Sequence, residues 1–132
     1  MYRKDLITAE IQKLAQILAK IMGLKIDGDL EESDQLFEDS LLSEFNLVLV
    51  DLLEYNKSEF EQYLRNQNFA TEKLDLLSQF LFFKLESFQN TSENKDIAER
   101  LLQLYNFIEL EHHTFSMENL TRQKQVEKFL LS

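Results

Sequence analysis

The chain contains no cysteine, no proline and no tryptophan, and only two glycines, Gly23 and Gly28. Each absence excludes something. Without cysteine there are no disulfides and no thiolate metal sites, and nothing argues for an oxidising compartment. Without proline, and with so little glycine, the chain lacks the residues that punctuate hairpins and sheets. Two glycines also leave little permissive backbone for a phosphate-cradling loop or a strained nucleophile turn. No run approaches the roughly 18 to 20 apolar residues of a spanning helix. Asp5, Glu10, Lys13 and Lys20 interrupt the first apolar residues, which leaves no continuous signal-peptide core. A cytoplasmic location is the expectation.

What is present fits one helical domain over residues 1–132. The apolar fraction is 44 %, enough for a packed interior. Leu, Glu, Gln, Lys and Ala, all good helix formers, are frequent. The spacing of apolar residues predicts an all-α fold of six to seven antiparallel helices.

Leu6, Ile7, Ile11, Leu14, Ile17, Leu18 and Ile21 predict a first amphipathic helix over residues 3–22, closed by Gly23. Its polar face is only weakly basic and has no aromatic anchor in its body, so packing on protein is preferred to a membrane surface. A second helix starts near Asp29 or Ser33, runs through Leu36, Phe37, Leu41, Leu42 and Phe45, and has a candidate break at Asn46. Ser58 and Glu61 match a capping box for a short helix ending near Arg65. Residues 70–88 form the most apolar helix. Nine of the fifteen residues 74–88 are Leu or Phe, which makes this the central helix. Asp75, Gln79 and Glu86 lie opposite as a narrow wet stripe. Phe82 falls beside that stripe, exposed, either as a lone surface aromatic or as an interface anchor. Further helices run over residues 95–112 and from an N-cap at Ser116.

Charge is uneven. The formal net charge is −10. Residues 1–26 carry five bases against two acids, residues 27–61 twelve acids against Lys57 alone, and residues 62–132 ten acids against eight bases. A nucleic-acid partner is excluded, because phosphates need clustered Lys and Arg.

Two patterns resemble metal sites. Glu109 and His112 share one helical face, as in di-iron carboxylate bundles. Those sites need two such pairs plus two more glutamates, and the two histidines here, His112 and His113, are adjacent. Asp27, Asp29, Glu31, Ser33 and Glu38 imitate calcium-loop spacing, but Glu32 stands where that loop needs glycine. Solvated side chains are the preferred reading of both, with no metal and no cofactor.

Leu101, Tyr105 and Ile108 recur on one helix, with His113 just beyond. On these residues the stretch 74–120 resembles a tetratricopeptide-type helical hairpin followed by the next unit's first helix. In that family the corresponding positions carry a small residue, an aromatic, a small residue and a proline. Leu101 and Ile108 are larger than the usual alanines, the family's tryptophan and glycine have no counterpart, and no second copy occurs at the repeat's 34-residue period. The resemblance implies stacked antiparallel helix pairs and a protein-binding role. The whole chain is also similar to small bacterial helical proteins, a likeness that supplies no function.

Three functional expectations follow. The first is a non-enzymatic interaction or scaffold protein, including a homodimer anchored by Phe82. The second is an acidic partner of a basic protein, acting through residues 27–61. The third is a metal-dependent enzyme of helical-bundle type using Glu109 and His112.

Overall fold

A computed structural model describes the backbone of residues 2–132 and the side chains of residues 5–132. Seven helices and no strand occur among the described residues: α1 (Tyr2–Ile26), α2 (Leu30–Phe45), α3 (Leu49–Glu54), α4 (Lys57–Gln67), α5 (Thr71–Leu85), α6 (Ser92–His112) and α7 (Met117–Leu131). The all-α expectation of six to seven helices therefore holds. Packing gathers the chain into two compact units, Met1–Leu49 and Val50–Ser132.

The first unit is an antiparallel hairpin of α1 and α2. The Ser33 hydroxyl at the start of α2 donates to the Ile21 carbonyl at 3.0 Å. Further along, Lys13 meets Glu44 at 3.3 Å. Leu14, Leu18 and Ile21 are buried from α1, and Phe37, Leu41 and Phe45 from α2.

α1 does not stop at Gly23. One glycine inside a helix costs only about 1 kcal/mol relative to alanine, and three further residues, Leu24, Lys25 and Ile26, remain helical beyond it. The chain turns instead at Gly28, whose φ of 85° is the left-handed conformation that glycine adopts without a Cβ clash. The break at Asn46 is real. Asn46 has φ 52°, and its N–H and that of Leu47 donate to the carbonyls of Leu42 and Leu41, which closes the helix end.

In the second unit α5 and α6 run antiparallel, with Thr71 at the start of one beside His112 at the end of the other. α7 reverses again, so that Lys95 of α6 donates to the Phe129 carbonyl at 2.6 Å. α4 runs parallel to α6: Gln103 donates to the Lys57 carbonyl, and Arg65 reaches Glu111 at 2.6 Å. The central Leu/Phe helix is buried as its composition requires. Leu74, Leu77, Phe80, Leu81 and Leu85 are all inside. Removing each from water contributes roughly 1.5–3 kcal/mol.

Two local expectations shift. The capping box at the start of α4 is Asn56 with Glu59, not Ser58 with Glu61. The Asn56 side chain accepts from the Glu59 N–H at 2.8 Å, and the Glu59 carboxylate accepts from the Asn56 N–H at 2.9 Å. Asn caps as well as Ser, and starting two residues earlier adds half a turn of helix. α5 ends at Leu85 rather than Phe88, because Ser87 and Phe88 both take positive φ, 79° and 50°. Phe88 thereby turns back onto Phe82 and Phe129.

Candidate functional site

Phe82 is not exposed. Only 5 % of its surface is accessible. Its ring meets Phe83 edge-on at 5.5 Å and Phe88 at 5.8 Å, within the range of favourable aromatic pairs. The Arg122 guanidinium of α7 lies 5.3 Å from its centroid and 5.2 Å from that of Phe83, a cation–π arrangement. Part of the neighbouring wet stripe meets the same helix: Asp75 accepts from Asn119 of α7 at 2.9 Å and from Gln79 at 2.8 Å, while Glu86 stays exposed. A helical wheel of α5 alone places Phe82 beside polar residues correctly, but it cannot show that α7 lies over them.

Glu109 and His112 are not drawn into a common site. Glu109 is exposed. The His112 Nδ1 shares a 2.8 Å hydrogen bond with the Thr71 hydroxyl, and the ring lies 5.9 Å from that of Phe107. Among the described residues no group of three or more His, Asp or Glu side chains is placed to hold a metal ion. The calcium-like series is pulled apart by helix formation. Asp29 sits at the N-terminal boundary of α2, Ser33 points inward to Ile21, and Glu31 and Glu38 point outward.

Two buried phenols stand out electrostatically. Burial pushes the Tyr63 and Tyr105 hydroxyls well above their ordinary range. At Tyr105, Arg122 opposes that shift, while Asp75 and Glu118 add to it. The Tyr105 hydroxyl has no hydrogen-bond partner. Its ring lines a cleft at the α6–α7 corner with Ile108, Phe115 and Leu120. At the far end of α6, hydrogen bonding to Arg65 holds the Glu111 carboxyl below the usual glutamate range.

The surface with the most distinct chemistry is the outward side of α2. The segment 27–45 holds eight acids and no base. Asp27, Asp29, Glu31, Glu32, Asp34, Glu38 and Asp39 are all exposed. At about 100° per residue, Glu31, Gln35, Glu38, Asp39 and Leu42 fall within a sector of about 100° on one outward flank of α2, turned away from Phe37. Leu42 is 55 % exposed there, an apolar side chain one turn beyond Glu38 and Asp39. The Leu41-Leu42 pair hid it in the sequence. Both fit the apolar series, yet only Leu41 turns inward.

No protein-family model, no curated protein and no solved structure matches the chain. No helix among the described residues is long and apolar enough to cross a membrane.

Proposed function

We propose that the protein is a non-enzymatic helical interaction module and that the outward side of α2 is its contact surface. The observation that carries this reading is the run of exposed carboxylates along α2 that leads up to the exposed Leu42, with no base in the segment 27–45. Interfaces combine a small apolar centre with a polar rim, and a field of one sign steers an oppositely charged partner. The matching partner is a basic, amphipathic protein segment. The resemblance of residues 74–120 to tetratricopeptide hairpins points to protein binding as well.

The test compares three full-length proteins as bait: wild type, a Glu31→Lys/Glu38→Lys/Leu42→Lys variant, and a charge-matched variant altered at three exposed positions of α6 and α7, Glu99→Lys/Leu110→Lys/Glu127→Lys. Partners held by wild type should be basic, should release as salt rises, and should be lost by the α2 variant alone. Partners insensitive to salt, or lost equally by both variants, contradict the reading.

A further inference from the structure

The link between α5 and α6 carries a strained pair of residues. Ser87 and Phe88 both take positive φ, 79° and 50°. Neither is a glycine, and in the left-handed region a Cβ crowds the following carbonyl oxygen. Such residues persist only where surrounding contacts hold them. Here the contacts are those of the Phe88 ring.

Residues 86–91 are all exposed except Phe88, which is half-buried. Its ring meets Phe82 of α5 at 5.8 Å and Phe129 of α7 at 5.4 Å, so it joins the ends of two helices. Its N–H donates to the Leu85 carbonyl at 2.6 Å. The two rings that receive Phe88 have other partners. Arg122 lies 5.3 Å from the Phe82 centroid. Lys95 lies 4.3 Å from that of Phe129 and donates to the Phe129 carbonyl at 2.6 Å. Further along the loop, the Gln89 carbonyl accepts from the Asn94 side chain and from the Thr91 N–H, both at 2.9 Å. The socket and the downstream half of the loop are therefore held without Phe88. Only the backbone around Ser87 and Phe88 has to rotate for the ring to leave.

Strain and packing are of similar size. Two left-handed L-residues are set against one partly buried ring with two aromatic contacts. Neither arrangement then outweighs the other by a large factor, and a minor form on the order of 1–10 % is populated.

We propose that Phe88 is a latch between α5 and α7. It is docked on Phe82 and Phe129 in this structure, and it exchanges with an open form in which Ser87 and Phe88 relax to negative φ. Closing trades backbone strain for aromatic packing. Opening uncovers the edges of Phe82 and Phe129 that face the loop.

NMR of the full chain tests this, through the ring signals of Phe82 and Phe129 and the amides of residues 86–90. Wild type should show exchange between two forms, as two sets of signals or as relaxation dispersion, with one rate shared by the loop and both rings. Ser87→Gly relieves strain in the docked form and should lower the open population about two- to fivefold. Phe88→Ala has no ring to dock, so its Phe82 and Phe129 signals should lie at the positions of the open form. A wild type with no second form overturns the latch. So does a loop that exchanges while both rings stay still, or an open population that Ser87→Gly leaves unchanged.

Discussion

Phe82 shows how far one residue can be read from sequence. Its angular position on α5 is right, but its environment depends on α7, which no wheel of α5 contains. The structure turns an exposed aromatic into a buried one beneath Arg122. Phe82→Ala should therefore cost about 3 kcal/mol or more, read as a lower urea midpoint. A cost within a few tenths of a kcal/mol would mean that the ring is exposed. Ser87 makes the opposite prediction. Its φ of 79° strains an L-residue by about 1–2 kcal/mol, while glycine there adds about 0.5–1 kcal/mol of unfolded-state entropy. Ser87→Gly should be stabilising by about 0.5–1 kcal/mol, with an unchanged denaturant slope. Neither strained position is legible in advance, since Ser and Phe carry no left-handed signature.

Helices are the level at which the sequence is most legible. The 3.6-residue period, with almost no competing turn chemistry, locates every long helix. Boundaries are less legible because neighbouring residues offer equivalent caps. Asn56 and Ser58 both suit an N-cap, each with Glu three residues on, and only the structure separates them. Asn56→Ala should cost about 1 kcal/mol and Ser58→Ala only a few tenths. The reverse order would restore the later start. The ends of α4 and α6 carry a pH-sensitive contact. Arg65 lowers the pKa of Glu111 in the folded state, so any stabilisation is present above the unfolded glutamate pKa and is lost as pH falls through the folded one. The Glu111 carboxyl should titrate below ordinary glutamate by NMR and return to the usual range in Arg65→Gln. An unchanged titration would show that the contact is not kept in solution.

At the scale of the whole molecule, charge is the property that sequence conveys best. The acidic second quarter is visible as a simple count, and the structure adds that its carboxylates, Glu44 apart, are exposed. What the count cannot give is facing. The separation of Leu41, buried, from Leu42, exposed, comes only from the structure. The buried phenols give the molecule an alkaline limit. Tyr63 and Tyr105 have raised folded pKa values, so their contribution is complete below the unfolded tyrosine pKa of about 10 and is lost as pH rises above it. In an alkaline spectrophotometric titration these two should ionise only as the fold opens.

The claim that joins these scales is that the outward side of α2 is a protein-contact surface defined by position and not by net charge alone. Quantitative capture with the α2 variant beside its charge-matched control on α6 and α7 tests it most directly. The account predicts a set of basic proteins that the α2 variant loses and the control keeps. Equal retention by both variants, or equal loss by both, would contradict it.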